Sequence, residues 1–120
     1  MGSGASQFPS VIESSAYRKD LETLRKSHKL LDELIAALLT DEIEANPTCG
    51  WPIRGWNSRV YKIRIADKCH NRGKSNGFRL IYDWNAETRT LVFLRLYTHA
   101  QMEDIAFGEI KKARDAEGLN

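Results

Sequence analysis

The sequence predicts an α+β domain: an N-terminal helical hairpin packed on a small antiparallel, partly mixed β-sheet of three to four strands, with a C-terminal helix. Three observations predict it. Apolar residues between positions 14 and 45 recur at helical spacing, the period changes from 3.6 to 2 after a loop at 47–58, and helical spacing returns beyond residue 100. The chain has 120 residues, enough for one modest core. Residues 8–120 therefore read as a single domain, and residues 1–7 as a disordered tail or an expression scar.

A short strand is expected at 8–12. Ser14 or Ser15 can cap the first helix, whose inward stripe is Tyr17, Leu21 and Leu24. A bend falls at 27–29, where Ser27 offers the backbone a competing hydrogen bond, and Leu30, Leu31, Leu34, Ile35, Leu38 and Leu39 form the second helix. Asn46-Pro47 ends it, because the residue before a proline is pushed out of the helical region. Three strands follow. Residues 60–66 set Tyr61, Ile63 and Ile65 against Lys62 and Arg64, and residues 78–84 set Phe78, Leu80, Tyr82 and Trp84 against Arg79, Ile81 and Asp83. Residues 90–98 set Val92, Leu94 and Leu96 against Leu91, Phe93, Arg95 and Tyr97. The 85–89 link is of hairpin length, whereas 67–77 is long, polar and glycine-bearing, the kind of loop that tends to carry function. The closing helix is expected at 101–116, with Met102, Ile105, Ile110 and Ala113 on one side and Gly108 as a weak point. In this arrangement the hairpin leucines cover one sheet face and the other, bearing Lys62 and Arg64, is left for function.

Charge is unevenly spread. Between Arg54 and Arg79 eight Lys or Arg residues face one acid, Asp67, while residues 1–53 hold five bases and eight acids and residues 80–120 five and seven. A cationic segment of this kind suits a polyanion, most commonly nucleic acid. No apolar stretch approaches the roughly 20 residues needed to cross a bilayer, so no membrane role is expected. Cys49 and Cys69 are too sparse for a disulfide scaffold, which points to a reducing cytoplasm. Their spacing with His70 and His99 does not match a structural zinc site, so neither metal nor cofactor is expected.

Four segments in this order are familiar: Asn46-Pro47-Thr48-Cys49-Gly50; Tyr61-Lys62-Ile63-Arg64; Arg72-Gly73-Lys74-Ser75-Asn76-Gly77-Phe78-Arg79-Leu80-Ile81-Tyr82; and Leu94-Arg95-Leu96-Tyr97-Thr98-His99. Together they resemble the RelE/ParE superfamily of bacterial toxins, in its RelE/HigB-like branch, over about two thirds of the chain. The resemblance implies a small sheet on a helical hairpin, an endoribonuclease that cuts mRNA, commonly on the ribosome, and an antitoxin partner that holds the toxin inactive in an oligomer. Here His99 stands where many relatives carry Lys, and Asn76-Gly77 replaces the usual pair of glycines.

Metal-free RNA cleavage requires a deprotonated 2′-hydroxyl, a stabilised phosphorane and a protonated leaving oxygen. Arg79 suits the phosphorane, because its planar fork matches two phosphate oxygens; the competing reading is a surface ion pair with an acid such as Asp83. Lys62 and Arg64, two apart on a strand, must share a face and would hold the RNA backbone, with a proton role for Lys62 if cationic neighbours and burial lower its pKa. Lys74, Arg72 and Arg95 extend the phosphate-binding set. His99 is the proton shuttle, since histidine alone titrates near neutrality without perturbation, and Glu103 or Asp104 is placed to orient it. Tyr97 fits a hydrogen-bond donor, a stacking platform or the core. Two other functions share the fold class: a ParE-like poison of DNA gyrase, and a catalytically silent nucleic-acid-binding relative.

Overall fold

Ser14 is a helix cap that also reaches the sheet. In the computed structural model, which describes residues 9–66, 77–102 and 104–119, its hydroxyl accepts the Tyr17 N–H at 3.1 Å and donates to the Leu94 carbonyl at 3.1 Å. One buried side chain thus satisfies an orphan donor of α1 (Ser15–Arg25) and ties that helix to a strand. α1 buries Tyr17, Leu21 and Leu24, and α2 (Leu31–Leu38) buries Leu31, Ile35 and Leu38. The expected bend lies between them, spanned by a bidentate Arg25–Asp32 ion pair with both contacts at 2.9 Å. A π-helical turn, Leu39–Ile43, extends α2. No helix among the described residues is long and apolar enough to cross a membrane.

The sheet has five strands, β1 (Ser10–Glu13), β2 (Trp51–Pro52), β3 (Val60–Ile65), β4 (Phe78–Asn85) and β5 (Thr90–Thr98), in the order β1-β5-β4-β3-β2. β1 runs parallel to β5 and every other pairing is antiparallel. The mixed character is as expected; the extra strand, β2, is only two residues long and leaves no periodic signal. Behind it, Tyr82 clamps the 46–50 segment by donating to the Pro47 carbonyl at 2.8 Å and accepting the Gly50 N–H at 3.1 Å. Gly50 is required by this approach, because an added Cβ would stand 2.9 Å from the Tyr82 oxygen and 3.0 Å from the Lys62 carbonyl.

Both faces of the sheet are covered. The hairpin helices pack on Tyr61, Ile63, Ile65, Phe78, Leu80, Tyr82, Trp84, Leu91, Phe93 and Leu96. On the far side α3 (Phe107–Ala116) sets Ile110 and Ala113, with Ile105, against Val60, Ile81, Val92, Leu94 and Tyr97. The expectation of an open second face is therefore corrected, since α3 takes the end of it that holds Val60, Ile81 and Val92.

Two further expectations change. Strict alternation along β5 fails, because Ile81 pairs with Arg95 and Tyr82 with Phe93, leaving Leu94 as an extra residue. This bulge sends Leu96 to the hairpin side and Tyr97 to the opposite side with Val92 and Leu94. The closing helix begins at Phe107 rather than residue 101. Gln101 and Thr98 exchange side-chain bonds with each other's backbone N–H groups, at 2.8 and 3.1 Å, and Asp104 accepts the Ile105 N–H at 3.0 Å. These local bonds compete with a helix.

Candidate functional site

Strand register assembles the site. Arg64 on β3 pairs with Arg79 on β4, and Arg79 pairs with Tyr97 on β5, so the three side chains form one cross-strand row on a single face. Lys62, Ile81 and Arg95 form the next row. Lys62 and Arg64 lie on the face opposite Tyr61, Ile63 and Ile65, as their alternation predicts.

Arg79 is the centre of the first row and is only 4% exposed. Burial and then the charge of Arg64 pull its pKa below the ordinary guanidinium value. Its Nη1 donates to the Gly77 carbonyl at 3.3 Å, and its Nη2 lies 3.4 Å from Nδ1 of His99. The same carbonyl accepts the His99 backbone N–H at 3.2 Å, which extends the β4–β5 ladder past Thr98. A guanidinium cannot accept a hydrogen bond, so His99 Nδ1 must be the acceptor in this arrangement and Nε2 carries the ring proton. The His99 ring is exposed.

Tyr97 is buried, and among the described residues its phenol oxygen has no hydrogen-bond partner. The nearby Ile105 N–H is directed instead to the Asp104 carboxylate. Burial, followed by the Asp104 charge, pushes the Tyr97 pKa up to about 12. The group is therefore a neutral phenol at physiological pH, a donor rather than a base. Asp104 does not serve as the expected orienting partner of His99: its carboxylate receives Lys62 Nζ at 3.5 Å.

Arg95 stands apart from the candidate set. Asp20 on α1 grips it through two contacts of 2.7 and 3.3 Å, and Glu109 on α3 adds a third at 3.0 Å. The same Asp20 accepts the Leu96 N–H at 2.9 Å. These carboxylates raise the Arg95 pKa against its burial, and the arginine acts as a strut joining α1, β5 and α3. Asp83, considered above as a partner for Arg79, sits between Arg59 at 3.2 Å and Arg114 at 3.0 Å. Arg72 and Lys74 lie outside the described residues, as do Glu103, Cys69 and His70. Among the described residues no group of three His, Cys, Asp or Glu side chains stands together to hold a metal.

From sequence, Trp51, Trp56 and Trp84 read either as base-stacking side chains or as a minor core or partner-binding surface. Trp51 pairs with Lys62 across β2 and β3, which puts an exposed indole beside the cationic rows. The concentration of tryptophan and glycine at 50–56 was its only signal.

No family model and no curated protein matches the chain. Among solved structures it is similar to the toxin–antitoxin complex RelBE2 of Mycobacterium tuberculosis, at 23% identity over 76% of this chain and 98% of that one, with a TM-score of 0.55. It is also similar to an arginine-to-alanine double mutant of the E. coli toxin RelE in the free state, at 19% identity over 88% and 96% of the two chains, TM-score 0.60. A conserved hypothetical protein of Helicobacter pylori matches at 23% identity over 78% and 97%, TM-score 0.50. At these identities the likeness is one of fold, and the fold is the one that the four sequence segments imply.

Proposed function

We propose that this chain is a RelE-like toxin of a toxin–antitoxin pair: a cytoplasmic, metal-independent endoribonuclease that cuts mRNA on the ribosome, inhibits translation and is silenced in an oligomer with its antitoxin. The observation that carries this reading is the cross-strand row of Arg64, Arg79 and Tyr97, with His99 against Arg79. The antitoxin finds support in the M. tuberculosis structure, which is a toxin–antitoxin complex of the same fold.

The chemistry follows from these groups. The 2′-oxygen attacks the adjacent phosphorus while the bond to the 5′-oxygen breaks, leaving a 2′,3′-cyclic phosphate and a 5′-hydroxyl end. Negative charge grows on the equatorial phosphate oxygens, where Arg79 and Arg64 provide fixed positive charge and Tyr97 a neutral O–H donor. Arg79 gains most from the phosphate, because the anion offsets both its burial and its repulsion from Arg64. When the phosphate takes up the Arg79 guanidinium, His99 Nδ1 is released to accept the 2′-hydroxyl proton, and the Lys62 ammonium, held by Asp104, gives a proton to the departing 5′-oxygen. Arg72 and Lys74 extend the backbone contacts.

The test is transcript end-mapping after brief induction of the intact chain, Arg79→Ala and His99→Ala. New ends are expected with the intact chain, none with Arg79→Ala and few with His99→Ala. Near-normal cutting by Arg79→Ala would refute the assignment. Whole transcripts with stalled supercoiling would move the protein to the gyrase-directed class, and unaltered growth with whole transcripts to a silent relative.

A further inference from the structure

A groove of about 750 Å³ opens between the 51–58 segment and the start of α3. Trp51 lines it and is 74% exposed, the most exposed large apolar side chain among the described residues. Its rim is held in an unfavourable backbone: Gly55, Asn57 and Ser58 have φ of 96°, 51° and 58°. For the two non-glycine residues this left-handed geometry is strained, a condition that concentrates at functional sites. The opposite wall is preformed. Phe107, 53% exposed, stacks on Trp56 at 4.4 Å and 15°, and a Cβ on Gly55 would come within 3.0 Å of its ring.

This groove is continuous with the cationic rows. Lys62 and Asp104 line it, and Trp51 is the cross-strand partner of Lys62. Two strand spacings and two residue rises place Trp51 about 12 Å from Arg79 on the same face, within reach of a short stretch of single-stranded RNA. On its other side Trp51 borders a second groove, of about 590 Å³, that reaches Arg64.

We propose that the groove is a nucleobase subsite, in which a base neighbouring the scissile phosphate stacks on Trp51 with its edge towards Asn57, Ser58 and Asp104; this rests on the nuclease reading. The lining favours a base over a phosphate. Arg54 and Lys62 stand there with Asp104, whose exposed carboxylate engages Lys62, and Trp51, Ile53 and Phe107 present apolar and π surfaces to a neutral ring. An aromatic platform beside a cationic track is how single strands are bound without duplex.

The experiment titrates a 2′-O-methyl oligoribonucleotide, which lacks the attacking hydroxyl, against the full chain, Trp51→Ala and Trp51→Tyr. A parallel set carries one abasic residue at successive positions. Trp51→Ala is expected to weaken binding about tenfold, Trp51→Tyr to recover most of that loss, and the salt dependence to keep its slope because no phosphate contact is removed. One abasic position should weaken the intact chain by a similar factor and leave Trp51→Ala unaffected. Equal binding by Trp51→Ala and the intact chain overturns the subsite, as does a defect confined to antitoxin binding, which would assign Trp51 to the protein partner. An oligonucleotide that the intact chain does not bind also overturns it; the nuclease reading is judged separately, by the transcript ends.

Discussion

Arg79 and Arg95 lie on neighbouring strands, one register step apart on the same face of the sheet, and their surroundings are opposite. Arg95 is met by Asp20 from α1 and Glu109 from α3, which raise its pKa; Arg79 is buried next to Arg64, and its pKa is lowered. Asp83, between Arg59 and Arg114, belongs with the first pattern. Carboxylates placed on an arginine make it a strut between elements, already satisfied by the fold. Arg79 lies beside a second cation, Arg64, while its fork also meets the Gly77 carbonyl and His99 Nδ1. Perturbed groups of this kind cluster at functional sites, which supports the anion-binding proposal for Arg79.

This contrast can be broken in several ways. The largest effect is expected from Arg79→Ala, which should lower cleavage of a ribosome-bound message by about 10²–10³-fold per folded molecule, with the urea midpoint measured alongside. A large loss of stability would make Arg79 a strut like its neighbour. Arg95→Ala should do the reverse, costing about 2 kcal/mol in urea unfolding by leaving Asp20 without its bidentate partner, a figure at the low side because neither group is fully desolvated. Cleavage per folded molecule should be unchanged, and a selective loss of RNA affinity would return Arg95 to the phosphate-binding set.

Tyr97→Phe sharpens the same distinction within the first row. It removes a buried oxygen that has no partner among the described residues, so the melting temperature should hold or rise, while cleavage slows by about tenfold. A drop in both would make the phenol structural. The smallest effect lies at alkaline pH. Folding lifts Tyr97 from 10.0 to about 12, so its contribution is fully present below the unfolded value. It is lost as pH rises through the folded one, because the unfolded chain gives up its proton first. Urea midpoints measured across that range should fall less steeply in Tyr97→Phe, with Tyr17 and Tyr82, also raised by burial, sustaining the rest of the slope.

Much of this architecture was legible in the residues. Ser14, the bend at 27–29 and the opposed faces of β3 and β4 follow from capping chemistry and unbroken periods, and those faces alone place Lys62, Arg64 and Arg79 on one side. β5 was legible in extent but not in facing, because a single inserted residue, Leu94, reverses every position after it and period counting cannot see it. The start of α3 was misplaced because Met102 and Ile105 pack in the core at helical spacing without being helical, their neighbours' side chains having taken the backbone hydrogen bonds. Trp51 read as base-stacking or core alongside Trp56 and Trp84, and nothing local singled it out as the exposed one, because a two-residue strand has no period.

Local sequence determined which segments are helix and strand, that the middle of the chain is cationic, and that β3 and β4 each turn a charged edge away from the hairpin; spacing and side-chain chemistry act over a few residues and need no partner. Tertiary structure decided which arginine is enclosed by carboxylates and which stands beside a second cation. Asp20 lies 75 positions from the arginine it neutralises, and the phenol that completes the cationic row reaches it through one bulge. Neutralisation depends on which charges the folded chain brings within a few ångströms, and sequence separation carries no record of that distance.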